Sequence, residues 1–145
     1  MTGITIERAV AGDVPQILDL LKRQSLPPDG LTDHAATTVV ARLDGRVVGS
    51  AAIEMYADGG LLRSVAVDDS LKGQGLGRAL TEQAVALARA AGLDALYLLT
   101  TTAEGYFPKL GFERTTREDV PAGVRSSVEF TSACPASAIV MRKRL

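Results

Sequence analysis

The run KGQGLGR at residues 72–78 lies between an apolar stretch ending at Val67 and the clearest helical repeat in the chain, and it restricts the fold more than any other feature. Leu76, Leu80, Ala84, Leu87 and Ala91 recur at helical spacing, and Gly92 supplies a stop. Upstream, residues 61–67 are apolar except at Arg63 and Ser64, which reads as a buried strand. Downstream, 95–100 is a second short apolar strand. Strand, helix and strand in about 40 residues is the size of a crossover unit whose outer strands run parallel.

Around this unit the pattern is antiparallel. Residues 4–8 read as a strand, and Asp13 with Pro15 starts an amphipathic helix carrying Val14, Ile17, Leu18 and Leu21 on one face. The breaker cluster LPPDG at 26–30 leads into an irregular or short helical connection at 31–37, the first candidate for a substrate-lining loop. Residues 38–43 and 46–56 form a hairpin through Asp44 and Gly45, and 57–60 turns the chain into the strand at 61–67. A short helix is expected at 103–110, closing strands at 112–116 and 138–145, and an irregular segment at 119–137. The 145 residues, 46% of them hydrophobic, suffice for a single domain over 1–145 with one sizeable core. A mixed, mainly antiparallel α/β sheet flanked by helices is therefore expected.

A glycine loop between a strand and a helix N-terminus exposes backbone N–H groups without intrahelical partners, beside the positive end of the helix dipole. Lys72 and Arg78 add full positive charges. The expected ligand is a phosphate or diphosphate. A dinucleotide loop would need a third glycine where Leu80 stands, and a P-loop would need Lys and Ser or Thr where Arg78 and Ala79 stand.

With V-A-V at Val65, Ala66 and Val67 followed by K-G-Q-G-L-G at 72–77, the chain resembles the GNAT superfamily of N-acetyltransferases. A second block agrees, with Thr100, Ala103, Tyr106, Phe107, Lys109, Gly111 and Phe112 in the places of the family's N-x-x-A-x-x-F-Y-x-K-x-G-F. The wording LLRSVAV, YLLTTTAEGYF and EFTSACPASA is similar to the branch of arsenic-resistance N-acetyltransferases. The resemblance implies a sheet with splayed strands forming a cleft for acetyl-CoA. Backbone N–H groups of Val65, Ala66 and Val67 would hold pantetheine and the acetyl oxygen, and Lys72, Gly73, Gln74, Gly75, Leu76, Gly77 and Arg78 the diphosphate. Thr100, Ala103, Phe107 and Lys109 would complete the cofactor side. It further implies direct transfer to a small-molecule amine, amino-acid-like and acidic, including arsenic- or phosphorus-containing analogues. A homodimer is compatible with it.

The chain departs from the family pattern at three positions. Lys72 keeps a charge but lacks a planar donor fork. Thr100 keeps a hydroxyl but has a shorter reach than Asn. Phe107 stands where many relatives carry a proton-donating tyrosine, and a phenyl ring cannot donate. A thiol of pKa about 8.5 leaves fairly well unaided, so an acid is dispensable.

Three further residues are catalytic candidates. Glu54 is a candidate general base, or else a solvent-facing strand residue. Arg63, two residues before Val65, would project from the same sheet face and clamp an acidic group on the acceptor, or else pair internally with Glu54 or Glu129. Ser64 would face the other way. Tyr106, next to Phe107 but turned about 100° from it on a helix, would pack or line the cofactor tunnel, or else act catalytically. Cys134 could in principle be an acetylated nucleophile, but no histidine accompanies it and lone cysteines are usually small buried groups, so direct attack in a ternary complex is favoured. His34 reads as exposed or at the substrate edge, without metal-ligand partners at recognisable spacing, so no metal is expected.

Other classes fit poorly. With 16 Lys and Arg against 17 Asp and Glu, net charge −1, the chain lacks the basic surface of a nucleic-acid binder. No stretch approaches the ~20 apolar residues of a membrane span. The start MTGITIERAV reads as no signal peptide, and one cysteine permits no internal disulfide, so a reducing cytoplasm is expected. The rival from another class is a non-catalytic acyl-CoA-binding module, a sensor or assembly subunit, for which Phe107 is the argument. A nucleotide-binding protein is a third reading.

Overall fold

The computed structural model describes residues 3–145, so Met1 and Thr2 of the segment read for a signal peptide lie outside the described residues. One seven-stranded sheet runs β1-β2-β3-β4-β5-β7-β6, with β1 Ile4–Arg8, β2 Thr38–Leu43, β3 Arg46–Tyr56, β4 Gly59–Val67, β5 Ala95–Thr100, β6 Glu113–Thr115 and β7 Ile139–Arg144. Every neighbouring pair is antiparallel except β4 and β5. The mixed α/β sheet is as the sequence predicts.

Helix α2, Leu76–Ala90, covers one face. Its Leu76, Leu80, Ala84 and Ala88 pack on Val48, Ile53, Leu62, Leu96 and Leu98, all buried. Helix α1, Val14–Arg23, covers the first half of the other face through Ile17, Leu20 and Leu21 against Val40, Val47, Ala52 and Ala66. The second half of that face packs Leu61, Tyr97 and Val140 against Val124 of α3, Ala122–Arg125. Burying a Leu or Ile side chain contributes roughly 1.5–3 kcal/mol, so three such contacts on α1 suffice to fix its docking.

Two local features position the site. First, β4 and β5 pair only at Gly60 with Leu96 and Leu61 with Tyr97, so the strands separate beyond Leu61 and a cleft opens between them. Second, β4 is bulged. Ser50 pairs with Ala66 but Ala52 pairs with Arg63, which leaves one extra residue on β4, and Ser64 takes φ 58 there. A non-glycine residue in that left-handed region needs support from its surroundings. Ser50, fully buried on β3, supplies it by donating its hydroxyl to the Ser64 carbonyl oxygen at 2.7 Å.

The bulge overturns one expectation. Leu62, Val65 and Val67 all join the α2-side core, whereas Leu61 and Ala66 pack on the opposite face. Strict alternation would put Arg63 and Val65 together, but the extra residue reverses the order, and Arg63 lies on the face away from α2 and Val65. The helix expected at 103–110 contracts to a single 3-10 turn at Phe107–Leu110. Pro108 lacks an N–H and disfavours helical geometry in the residue before it. The segment at 119–137 is more ordered than expected, with α3 and a π-turn at Glu129–Ala133. Its supports include a contact distant in sequence, Asp58 Oδ2, which accepts the Gly123 N–H at 2.8 Å, and a nearer one, Arg117, stacked 5.5 Å from the Phe130 ring centre.

Candidate active site

At one end of the cleft stands the glycine loop. Gly73 and Gly75 both have φ 82, a conformation that L side chains rarely adopt. A Cβ at either position would meet nothing within 4 Å, so the glycines serve backbone shape, and the space above them is open. Gly75 is the N-cap of α2, and the first helical N–H groups after it have no intrahelical acceptor. Lys72 pairs with Asp69 at 3.1 Å and Arg78 with Glu82 at 2.8 Å. Both pairs are exposed and neighbouring in sequence, and such pairs contribute little, so either cation is free to turn toward an anion at the loop. A diphosphate fits this place.

From the loop the cleft runs between β4 and β5, with a volume of about 430 Å³. Val65, Thr100, Ala103, Tyr106 and Phe107 line it, as does Lys72. On its β5 side the backbone of β4 beyond Leu61 has no strand partner, leaving groups of the V-A-V segment available to a ligand. The Thr100 hydroxyl accepts the Ala103 N–H at 2.9 Å, so it shapes the turn as well as the wall. Tyr106 crosses above α2, and a Cβ on Gly77 would come within 3.0 Å of its hydroxyl. Burial raises the pKa of this phenol. Phe107 packs edge-on against Tyr106 and Phe112, with ring centres 5.2 and 5.7 Å away. Lys109 is exposed and does not line the cleft.

The opposite wall comes from the 24–27 loop, Arg63, Ser64, Glu129 and Ala133–Pro135. Arg63 is the hub. Its Nη1 donates to Glu54 Oε2 at 2.8 Å and to the Asp29 carbonyl at 2.5 Å, and its Nη2 donates to the Pro27 carbonyl at 3.0 Å. Nε donates to Ser64 Oγ at 3.1 Å and lies 3.3 Å from Glu129 Oε2. Four of the five guanidinium N–H groups are thus committed inside the protein, and one on Nη2 remains. Glu54 is equally enclosed, with the Tyr56 hydroxyl donating to Oε1 and His34 Nε2 3.4 Å from the same oxygen. It does not line the cleft.

Glu129, which the sequence offers only as a partner for Arg63, lies in the cleft wall. Burial pushes its carboxyl up to about 7, an effect that Arg63 opposes and Glu54 reinforces. A single carboxylate inside the apolar and small run VEFTSACPASA was the available signal. Cys134 Sγ lies 3.7 Å from Glu129 Oε1, and burial first, then the Glu129 charge, push this thiol up to about 12. It stays protonated at neutral pH, which removes it as a nucleophile. Among the described residues no cluster of three or more His, Cys, Asp or Glu side chains could hold a metal, and no helix is long and apolar enough to cross a membrane.

Comparison with known proteins agrees with this geometry. An amino-acid acetyltransferase of Ralstonia nicotianae is 32% identical over 127 residues, covering 80% of this chain and 28% of its own length. One from Neisseria meningitidis is 27% identical over 127 residues, covering 81% of this chain and 29% of its own. The chain therefore spans less than a third of these curated relatives. Among solved structures, Rv2747 of Mycobacterium tuberculosis in complex with CoA matches with a TM-score of 0.81 at 27% identity, over 97% of this chain and 99% of that one. N-acetylglutamate synthase of Neisseria gonorrhoeae, complexed with coenzyme A and N-acetyl-glutamate, has the same fold with a TM-score of 0.84 at 24% identity, over 100% of this chain and 36% of that one. The model of the acetyltransferase (GNAT) family matches residues 11–112, a stretch that holds the splayed strands, the glycine loop and the turn carrying Tyr106 and Phe107. With more than half its length inside that match, the chain belongs to the acetyltransferase (GNAT) family.

Proposed function

We propose that this chain transfers an acetyl group from acetyl-CoA to the amine of a small, amino-acid-like acceptor by direct attack in a ternary complex. The observation that carries the reading is the continuity of one cleft from Lys72 at the start of the glycine loop, along the unpaired edge of β4, to a separate polar wall at Arg63 and Glu129. The loop and Lys72 or Arg78 would hold the diphosphate, and the free backbone of 65–67 the acyl arm. Acetyl-CoA supplies an activated acyl group when bound. The residues of the chain orient it and select the amine, and backbone N–H groups aimed at a carbonyl oxygen stabilise charge that develops there. Relatives that are amino-acid acetyltransferases support the acceptor class.

The test is thiol release from acetyl-CoA with a panel of amino acids and their amides, arsenic- and phosphorus-containing analogues included, the latter suggested by the resemblance to the arsenic-resistance branch. An acidic group on the acceptor would reach the uncommitted Nη2 N–H of Arg63 once the 24–27 loop, whose Pro27 carbonyl covers this buried guanidinium, moves aside. One hydrogen bond to a charged group contributes about 1.5–3 kcal/mol, so amidation of a good acceptor is expected to lower kcat/KM by roughly tenfold to a hundredfold. Equal rates for acid and amide would remove the acidic group from the proposal. Phe107, with no proton to give, favours a second reading as an acyl-CoA-binding module. That reading predicts CoA binding without thiol release for every amine.

A further inference from the structure

Three charged side chains meet at the polar wall, two of them lining the cleft and the third, Glu54, behind it. The Arg63 and Glu54 side chains are 0% and 2% exposed, whereas Glu129 keeps 6% and shares the cleft lining with Ser64, Val65 and Cys134. Glu54, from the sequence a candidate base or else a solvent-facing residue, is neither solvent-facing nor open to the cleft, with both oxygens occupied by Arg63, Tyr56 and His34. Glu129 is held differently. Its Oε2 faces Arg63 Nε, its Oε1 meets only the weak donor Cys134 Sγ, and it is carried on a π-turn, a local widening of helical geometry often found at functional sites.

We propose that Glu129 is the general base of the transfer, its carboxylate, fixed between Arg63 and Cys134 beside the unpaired stretch of β4, taking a proton from the acceptor's ammonium group. The inference rests on the function proposed above. The proton passes from R–NH3+ to the carboxylate, leaving a neutral amine and a carboxylic acid. The nitrogen lone pair then forms the C–N bond as the C–S bond breaks. The C–S electron pair goes to sulfur, and the second nitrogen proton ends there as the thiol. The charged and titratable groups facing Glu129 are Arg63 on β4, Glu54 and Tyr56 on β3, Asp29 in the loop before β2 and Cys134 beyond its own turn. Together with burial they place the carboxyl near neutrality, where a base is both substantially ionised and strong enough to accept the proton.

The experiment compares the full chain with Glu129→Gln and Glu129→Asp, using acetyl-CoA and the best acceptor from the panel, over a range of about pH 6 to 9. Glu129→Gln should lower kcat/KM by about 10²–10⁴-fold and lose the rise through about pH 7, with its CoA-induced thermal shift intact, while Glu129→Asp restores part of the rate. A readout independent of activity is carboxyl titration by NMR in chain labelled with 13C-glutamate. One resonance should titrate near 7 and be missing from Glu129→Gln. If Glu129→Gln does not fold, this titration and Glu129→Asp decide, and a Glu129 resonance titrating in the ordinary carboxylate range overturns the proposal. Wild-type kcat/KM with an unchanged pH limb in Glu129→Gln also overturns it. A wild type that binds CoA but acetylates nothing overturns the proposed function and this inference together, an outcome distinct from an active Glu129→Gln.

Discussion

Arg63→Met is expected to lower folding stability by about 3–5 kcal/mol, because it leaves Glu54 and Glu129 buried without their cation. For a chain of this size that loss corresponds to a fall in Tm of roughly 10–20 °C. The substitution also frees the carbonyls of Pro27 and Asp29, so the 24–29 loop loses its tie to the sheet. The loss should depend on pH with a definite sign. Glu129 already holds its proton up to about 7, and without Arg63, which draws it down, it will hold that proton still higher. Below neutrality one of the two abandoned charges therefore disappears, and the penalty should shrink as pH falls. Adding Glu54→Gln and Glu129→Gln to Arg63→Met should recover much of the stability, since removing a whole buried ionic group costs far less than removing one member. Denaturant melts of the single and triple variants check this, and a loss under about 1 kcal/mol for Arg63→Met would show that the guanidinium adds little to the fold.

Gly75→Asp is expected to abolish stabilisation by CoA, whereas Gly75→Asn should retain much of it. At a ligand concentration 100 times Kd, binding contributes about 2.7 kcal/mol, a shift in Tm of roughly 6–12 °C for a domain of this length. Both substitutions place a side chain on a residue with φ 82, and Asn and Asp tolerate that region better than other side chains, so their strain should be similar. With space open above the loop, neither meets a clash. Only the aspartate puts a negative charge where the diphosphate is to sit. Thermal melts with and without CoA separate strain from charge, and a full shift in Gly75→Asp would sink the assignment of the loop.

The parts of the fold that were legible in the sequence are those set by neighbours. The strands at 4–8 and 95–100, the hairpin through Asp44 and Gly45, and the glycine loop with its helix follow from periodicity and turn chemistry within a few residues. The bulge was not legible, because the left-handed Ser64 is stabilised by Ser50 across the strand pair and nothing local marks it. Strict alternation through it places Arg63 on the wrong face. The place of Glu129 was hidden for a related reason. The segment that carries it is anchored by Asp58, far upstream, and by Arg117 on Phe130, contacts that leave no mark in hydrophobic periodicity.

Under the proposed function the extra residue at Ser64 also divides β4 into two territories. Arg63, before it, belongs to the polar wall, and Val65 to Val67, after it, would serve the acyl donor. Because the reversal of facing happens at a single position, a substitution on one side need not disturb the register on the other. Such a strand gives an evolving lineage a way to exchange one acceptor for another while its grip on a common acyl donor stays fixed. Deletion of one residue at the bulge would instead restore strict alternation and turn the two territories onto each other's faces, so the length of this strand matters as well as its composition.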